Sequence, residues 1–465
     1  MIIGHSMTDS ERIRTIIKKQ RFKIYFIGIG GISMSSVAQI SVELGAKVFG
    51  SDIRKNAATE GLERLGVRIK YSQARANIME TMPDIAVYSL SISADNPEYR
   101  AASELGIVTV SRAEYLGAVM MDYAVRIGVS GSHGKSTVTA MLGSILRSAG
   151  AAPSVLCGAE ISQSGTGYIG GGKQNVVYEA CEYGDSFLYL HPSVQIILNV
   201  DLDHTDYFAN TEQLCESFLR AADSAEKFAV LNADDRNLQK IIPAVAAKKL
   251  TYSSKPGADF RYEILPEADG KYGFRLYGGG KEYNFTLGVP GRFNAENAVA
   301  AAVTALKLGI SEEAVSEALR TFSGIPRRLE YLGKRRGTDI YYDYAHHPKE
   351  IAALYDALDS MGYRNICAVF APHTYSRTKS FLDEFAIALA RFASVYVTDI
   401  YGARESAIVG VSSASLADAV RLAGGEAYAL ANEENIEEIL SKEYDCLVLT
   451  GAGDLATIKK KAEDL

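Results

Sequence analysis

No stretch of the 465-residue chain holds the run of about 18 apolar residues that a membrane span needs. Residues 1–20 mix polar and apolar side chains without an apolar central segment, which argues against a secretory signal. Cysteine is scarce. The five are Cys157, Cys181, Cys215, Cys367 and Cys446, odd in number and never spaced as a metal or redox pair. A disulfide scaffold is thereby excluded, and the expected compartment is the reducing cytoplasm. With 41 glycines and 11 prolines, collagen-like and low-complexity readings fail. A basic surplus is also missing: 49 Lys and Arg stand against 56 Asp and Glu, a net charge of −7. A sequence-independent nucleic-acid binder needs a basic face, so that class is set aside, while local basic pockets for phosphate stay open.

What is present is ordinary globular material, 47 % apolar and 23 % charged, long enough for about three domains. Strand, Gly-rich turn and helix alternate along the chain, which predicts parallel α/β sheets. The first cycle has strands at 23–27, 47–50, 85–88 and 107–110, with a helix from Met34. A second cycle has strands at 123–129, 175–178, 196–199 and 228–232 and a helix from the second glycine turn to about 149. Residues 249–290 read as antiparallel strands around Gly278-Gly279-Gly280, followed by helices at 295–308 and 312–321. After Gly324-Ile325-Pro326 the alternation resumes, with strands at 340–342, 366–370, 395–398 and 446–450 and helices at 349–361 and 380–390. The expected fold is α/β in three domains, at 1–117, 118–326 and 327–465.

The segment Gly131-Ser132-His133-Gly134-Lys135-Ser136 follows an apolar strand and opens a helix. Backbone N–H groups there can wrap an anion, Lys135 can neutralise terminal phosphates, and Ser136 can bind Mg²⁺. Val129 stands where the strict P-loop spacing needs Gly, so a plain strand–helix turn with a capping serine is the competing reading. Gly28-Ile29-Gly30-Gly31 resembles a dinucleotide fingerprint with Ser33 in place of the third glycine. Asp52 ends the next strand, where a ribose-binding acid belongs. A nucleotide is favoured over NAD specifically, and a ligand-free βα turn is the alternative.

Glu179 ends one strand, and His204 lies in the loop after the next. Strand C-termini are where open α/β sheets bind ligands, so the two can meet beside the P-loop and hold metal; a solvated acidic loop is the alternative. His346-His347-Pro348 reads either as N-cap chemistry or as a functional loop. Arg377, in Pro372-His373-Thr374-Tyr375-Ser376-Arg377, is a natural clamp for carboxylate or phosphate. Five of the seven histidines fall in these strand-end loops. No Ser-His-Asp order or Cys-His pair suggests covalent catalysis. A P-loop, a Mg²⁺ site, a second nucleotide-like pocket and a third α/β domain together suggest an ATP-driven joining reaction, which needs positioning and charge stabilisation rather than a protein nucleophile.

From about Arg21 to Leu465 the chain resembles the Mur ligase family of the bacterial cell-wall pathway. The resemblance is carried by the 28–35 glycine turn, the 131–136 loop, Glu179-Ala180-Cys181-Glu182 and Asp203-His204-Thr205-Asp206. Further along it is carried by Pro290 to Asn297, Arg327-Arg328-Leu329-Glu330, Asp343 to Pro348, Pro372 to Thr378 and Thr450 to Asp454. It implies ATP-dependent ligation of L-alanine to the lactyl carboxylate of UDP-N-acetylmuramate through an acyl phosphate, with Mg²⁺.

Residue roles follow from the same resemblance. Gly28, Gly30 and Gly31, with Ser33, Met34, Asp52 and Ser91, would hold the UDP-sugar. Gly131, Ser132, His133, Gly134, Lys135, Ser136 and Thr137 would cradle ATP, Lys135 taking the γ-phosphate. Ser136, Glu179 and His204 would bind Mg²⁺. Asn294 and Asn297 would meet adenine, and Arg328 and Asp343 would reach the nucleotide. Tyr344, His346 and Arg377 would face the muramoyl carboxylate and the amino acid, which makes Lys135, His204, His346 and Arg377 the catalytic candidates. Ser33, Ser36, Cys181, Phe293 and Thr374 depart from the commoner family pattern, the last leaving more of the substrate clamp to Arg377. Phe218-Leu219-Arg220, where sister ligases carry a carbamylated lysine, suits the alanine-adding branch. The expected state is a monomer or weak homodimer without nucleic-acid or membrane partners. A related ligase for preformed peptides, a catalytically dead nucleotide-binding regulator and a dehydrogenase are the competing functions.

Overall fold

The computed structural model describes residues 8–464, apart from 20, 162–165, 205–206, 404, 431–437, 440 and 454. The motif residues Thr205, Asp206 and Asp454 therefore lie outside the described residues. Packing divides the chain into two units: residues 1–202, 211–261 and 300–318 form one, and residues 203–210, 262–299 and 319–465 form the other.

The first unit opens with a helix that the sequence pattern does not announce, Asp9–Ile17, started by a capping box between Thr8 and Glu11. A five-stranded sheet follows, in the order Arg68–Lys70, Lys47–Ser51, Lys23–Ile27, Ile85–Tyr88 and Val108–Ser111. All four ladders are parallel. The strand order reverses direction between Lys23–Ile27 and Ile85–Tyr88, so a crevice opens there at the strand C-termini. The expected strands are all present, displaced by at most a residue or two at their ends.

The same unit holds a second parallel set, in the order Lys249–Ser253, Phe228–Asn232, Val194–Ile197, Val125–Ser130, Gly172–Glu179 and Pro153–Leu156. The central strand Val125–Ser130 is buried along nearly its whole length and feeds directly into the 131–136 loop. The reading of 249–290 as antiparallel is corrected for its first part. Lys249–Ser253 pairs parallel with Phe228–Asn232, and Tyr252 and Ser253 pair parallel with Phe260 and Arg261. Alternation of side chains identifies a half-buried strand but is blind to its direction.

In the second unit Tyr272–Gly278 and Lys281–Phe285 form a true antiparallel hairpin. Its two-residue turn, Gly279 and Gly280, has both φ angles positive (60° and 76°), the conformation a tight hairpin demands. The main sheet of this unit runs Glu330–Arg335, Thr338–Asp343, Cys446–Gly451, Ile366–Ala371, Ser394–Val397 and Ala427–Ala429. Only the first pair is antiparallel. Side chains alternate between its faces. Tyr341, Ala368, Phe370 and Val448 pack with Ile351, Leu354, Phe385 and Leu416. Ile340, Tyr342, Cys367, Val369 and Leu447 pack with Leu455 and Ile458. The helix expected over 380–390 is preceded by a separate turn of helix, Tyr375–Ser380, which carries Arg377. No helix among the described residues is long and apolar enough to cross a membrane.

Candidate active site

In the first unit three adjacent strands deliver their C-terminal ends to one place. Val125–Ser130 lies between Gly172–Glu179 and Val194–Ile197. The segments that emerge are 131–136, 179–182 and 199–201. Gly131 has φ 140°, and a Cβ on it would sit 3.0 Å from the Leu198 side chain and 3.2 Å from the Asn199 backbone nitrogen, so the loop can pass only as glycine. Gly134 caps the helix Lys135–Ser148 at φ 85°. The loop is tied to its neighbour by reciprocal bonds. Ser132 Oγ donates to the Asp201 carbonyl and accepts from the Asp201 N–H, each at 2.8 Å. The Asn199 side chain accepts from the His133 N–H at 2.8 Å and donates to the His133 carbonyl at 3.1 Å.

Lys135 Nζ donates to the Gly131 carbonyl at 2.5 Å and to both Glu182 carboxylate oxygens at 3.1 and 3.0 Å. Burial alone draws the lysine pKa down, but the carboxylates of Glu182 and Glu179 outweigh it and hold the ammonium above the ordinary lysine range. Ser136 Oγ donates to Glu179 Oε2 at 2.8 Å, and the Gly158 N–H donates to the same oxygen at 2.6 Å. A hydroxyl beside a carboxylate is a hard-oxygen pair of the kind Mg²⁺ takes. Thr137 follows, buried in the first helical turn. Burial pushes the Cys181 thiol up to about 11, with Glu182 adding to the shift, so it stays protonated at neutral pH. Among the described residues no three His, Cys, Asp or Glu side chains are gathered as a metal cluster.

The crevice of the five-stranded sheet gathers the other glycine turn. Gly28 has φ 80°, and a Cβ there would touch Ile92, beside Ser91. Asp52 is committed to the turn itself: Oδ2 accepts from the Gly30 N–H at 2.8 Å, and Oδ1 from Ile53 and Arg54 at 2.8 and 3.2 Å. Asn56 Nδ2 donates to the Gly30 carbonyl at 3.1 Å. Ser91 is exposed and shares a 2.8 Å hydroxyl bond with Ser89. Gly31 is exposed, Ser33 half-buried and Met34 buried.

The second unit gathers Asp203, His204, Tyr344, His346, His373 and Arg377. Arg377 donates to Asp203 Oδ1 from Nε at 3.1 Å and from Nη2 at 2.7 Å, and its Nη1 lies 3.1 Å from His373 Nδ1. Burial opposes ionisation of Asp203, but Arg377 and the nearby histidines hold its carboxyl well below the usual range. His204, at φ 53°, directs its N–H onto Asp203 Oδ1 at 2.7 Å. His346 Nδ1 is 2.9 Å from the Tyr344 carbonyl, while its own N–H donates to Glu350 at 3.0 Å. Burial lowers the pKa of His346, and burial together with Arg377 lowers that of His373 to about 4, so both are neutral imidazoles at pH 7. His347 takes the N-cap role: its ring accepts from Lys349, and Glu350 closes the capping box.

Asp343 accepts from Leu329 N–H at 2.6 Å and Ala345 N–H at 2.7 Å, and burial pushes its pKa up to about 6 against the pull of Arg328. Arg328 lies over the Tyr344 ring at 5.1 Å. Asn294 and Asn297 stand one turn apart on the helix Arg292–Lys307, and Asn294 is anchored to the Pro290 carbonyl at 2.7 Å. Of the three residues expected on Mg²⁺, Ser136 and Glu179 are brought together, and His204 belongs to the other unit.

Sequence reasoning gave no role to Glu182, Asn199, Asp201, Asp203 or His373. All lie in the strand-end loops already singled out, so their position was a signal even though their partners were not. Arg112 was missed outright. It opens the helix Arg112–Met120, which packs so closely on the segment Tyr183–Tyr189 that a Cβ on Gly117 would fall 2.0 Å from the Tyr189 carbonyl oxygen. Burial lowers its pKa, and Cys181 and Glu179 are the groups that oppose the shift.

Comparison with known proteins agrees along the whole chain. Residues 23–124 match the catalytic-domain model of the Mur ligase family, residues 129–305 the Mur ligase middle domain, and residues 327–453 the Mur ligase glutamate ligase domain. The UDP-N-acetylmuramate–L-alanine ligase of Caldicellulosiruptor bescii is 38 % identical over 440 residues, which cover 93 % of this chain and 96 % of the relative. That of Caldanaerobacter subterraneus subsp. tengcongensis is 38 % identical over 453 residues, covering 96 % and 98 %. Among solved structures, the UDP-N-acetylmuramate-alanine ligase MurC of Thermotoga maritima superposes with a TM-score of 0.81 at 27 % identity, covering 95 % of this chain and 98 % of that one. A MurF ligase from Thermotoga maritima, solved in complex with ADP, shares the fold at a TM-score of 0.60 and 16 % identity, covering 90 % and 95 %. With its three-part α/β architecture matched domain by domain, this chain belongs to the Mur ligase family.

Proposed function

We propose that the chain is an ATP-dependent ligase that joins L-alanine to the lactyl carboxylate of UDP-N-acetylmuramate. The observation that carries the reading is the meeting of Lys135 and the Ser136–Glu179 pair at the C-terminal edge of three adjacent strands. That arrangement suits phosphoryl transfer, where positioning and charge neutralisation do the catalytic work. The substrates are those named for relatives 38 % identical over nearly the full chain.

In this reading a carboxylate oxygen of the sugar attacks the γ-phosphorus and ADP leaves. The amine of L-alanine then attacks the acyl carbon, an amide bond forms, a proton is lost from nitrogen, and inorganic phosphate departs. Lys135 takes the γ-phosphate, and the N–H groups of Gly131 to Thr137 surround the phosphates. Ser136 and Glu179 are the oxygen ligands for Mg²⁺, which when bound supplies neutralisation of the triphosphate charge; His204 is proposed as a further ligand. Asn294 and Asn297 are assigned to adenine, and Arg328 and Asp343 to the rest of the nucleotide. Tyr344, His346 and Arg377 are assigned to the carboxylate and the amino acid; neutral His346 is suited to accept the amine proton. Gly28, Gly30, Gly31, Ser33, Met34, Asp52 and Ser91 are assigned to the UDP-sugar. The three functional parts are assigned to 1–117, 118–326 and 327–465, and cytoplasm is the compartment in which ATP and the nucleotide sugar are both at hand.

The test is phosphate release from ATP with UDP-N-acetylmuramate, Mg²⁺ and L-alanine, with the mass of the nucleotide product. Release that requires both the sugar and the amino acid supports the reading, and ATP hydrolysis indifferent to both contradicts it.

A further inference from the structure

The oxygen of Glu179 that meets Ser136 also takes the Gly158 N–H at 2.6 Å, and a Cβ on Gly158 would stand 2.6 Å from that oxygen. Gly158 thus fixes where this carboxylate lies. Residues on the two sides of 162–165 are bonded to each other: the Cys157 N–H donates to the Gly167 carbonyl at 2.7 Å, and the Ile161 N–H to the Thr166 carbonyl at 3.1 Å. Cys157 Sγ also lies 3.5 Å from the Ser136 carbonyl.

The far side of that segment is bonded to the helix that follows the first strand of the five-stranded sheet. Thr166 Oγ1 donates to Gln39 Oε1 at 2.6 Å, and the Tyr168 hydroxyl donates to Glu43 Oε2 at 2.6 Å. Thr166 and Tyr168 are fully buried, whereas Glu43 is exposed. The contact is close: a Cβ on Gly170 would fall 2.5 Å from Glu43 Oε1. Burial and the Glu43 carboxylate both raise the pKa of Tyr168, which keeps its hydroxyl a donor. Gln39 and Glu43 stand one turn apart near the end of the helix Ile32–Glu43, whose N-cap, Gly31, is the last residue of the 28–31 glycine turn. A helix is stiff on this scale, so a displacement at its glycine end reaches Gln39 and Glu43 with little loss.

We infer that the Glu43–Tyr168 and Gln39–Thr166 bonds are positioning contacts that link occupancy of the 28–31 turn to the placement of Glu179 through Gly158. The inference rests on the proposed assignment of that turn to the UDP-sugar and of Glu179 to Mg²⁺. Glu43 and Tyr168 touch no substrate in this account. Their effect is on the coupling between the two ligands, which must be reciprocal.

The experiment is calorimetric titration of the full chain with the non-hydrolysable analogue AMP-PNP and Mg²⁺, with and without saturating UDP-N-acetylmuramate. The parent protein is expected to bind AMP-PNP about fivefold or more tightly when the sugar is present, within the usual span of coupling between sites. Tyr168→Phe, which removes one oxygen, and Glu43→Ala, at an exposed position, are expected to bring that ratio below about twofold while binding of each ligand alone changes little. Glu43→Gln keeps an acceptor oxygen and is expected to retain most of the ratio. Glu43→Ala combined with Tyr168→Phe is expected to lose no more than either alone, as for two ends of one contact.

A parent ratio near one, or an undiminished ratio in Tyr168→Phe and Glu43→Ala, overturns the inference. Loss of binding of each ligand alone in those variants also overturns it, since the contact would then be a general brace. A parent that binds both ligands with coupling yet makes no product with L-alanine would overturn the ligase reading and leave the coupling standing.

Discussion

Lys135 and Glu182 form an ion pair 3.0 Å long in which the lysine side chain is 12 % exposed and the glutamate 2 %. The cation proposed for a terminal phosphate is paired with a carboxylate that has been withdrawn from water. Breaking such a pair from one side leaves a buried charge, which costs far more than the pair contributes.

Stability and activity should accordingly separate at this pair. Lys135→Ala is expected to lower ligation by at least about 100-fold, the scale of removing a charge aimed at the transition state. It is also expected to destabilise the fold by about 3–5 kcal/mol, because buried Glu182 loses its ion-pair cation. Adding Glu182→Gln to Lys135→Ala should recover most of that stability in chemical denaturation and none of the activity. Recovery of activity, or near-normal turnover of the single variant, would contradict the role given to Lys135.

The Ser136–Glu179 pair predicts a shifted metal requirement. Glu179→Ala is expected to raise the Mg²⁺ concentration for half-maximal ligation by about tenfold or more, the usual effect of losing one charged oxygen ligand. His204→Ala should move it in the same direction if His204 is a ligand. A Mg²⁺ titration that superposes on the parent for both variants removes the proposed site.

Arg377 predicts a loss that lysine does not repair. Its guanidinium meets one oxygen of Asp203 from two nitrogens, a geometry a single ammonium cannot reproduce. Arg377→Lys is expected to reduce kcat/KM by about tenfold or more and to lower the unfolding midpoint, as buried Asp203 loses one of its two guanidinium bonds. A lysine variant with parental kinetics would show that the planar fork is not needed.

Asp343 predicts a pH effect of defined sign. Its pKa is raised in the folded protein to about 6, from an unfolded value near about 3.9. The folded state therefore holds the proton more tightly between these values, and this group's contribution to stability increases as the pH falls from about 7 to about 4. The unfolding free energy of the parent minus that of Asp343→Asn should grow by up to about 3 kcal/mol over that range. Denaturant titrations at the two ends of the range measure it, and a difference that shrinks on acidification contradicts the burial argument.

The parallel sheets and both glycine turns were legible because their signals are local: apolar runs of strand length, glycines at fixed offsets and a helix after each. The direction of Lys249–Ser253 was not, since its alternating side chains say nothing of the neighbour they pair with. The helix Asp9–Ile17 escaped because its start is set by one capping box rather than a long apolar stripe. At the site, Lys135, Ser136 and Glu179 carry their chemistry in residue type and place. Glu182, Asp203 and Arg112 matter through partners 47, 174 and 67 or more positions away, as in the Lys135–Glu182 and Arg377–Asp203 bonds, and such pairings exist only once the strands are assembled. Asp52 has the place of a ribose-binding acid, and its oxygens also accept from the N–H groups of Gly30 and Ile53, a bracing role that sequence spacing cannot reveal.

The central claim is tested most directly by offering the purified chain ATP, Mg²⁺ and UDP-N-acetylmuramate with L-alanine, glycine or a preformed tripeptide, and measuring phosphate release and product mass. L-Alanine is expected to be the best acceptor. Glycine should be weaker by the about 1–3 kcal/mol that one methyl group contributes to discrimination, and the tripeptide poorer still. The product with L-alanine should have the mass of UDP-N-acetylmuramate joined to alanine with loss of water. A preference for the tripeptide over L-alanine, or ATP turnover that yields no amide with any acceptor, would contradict the account.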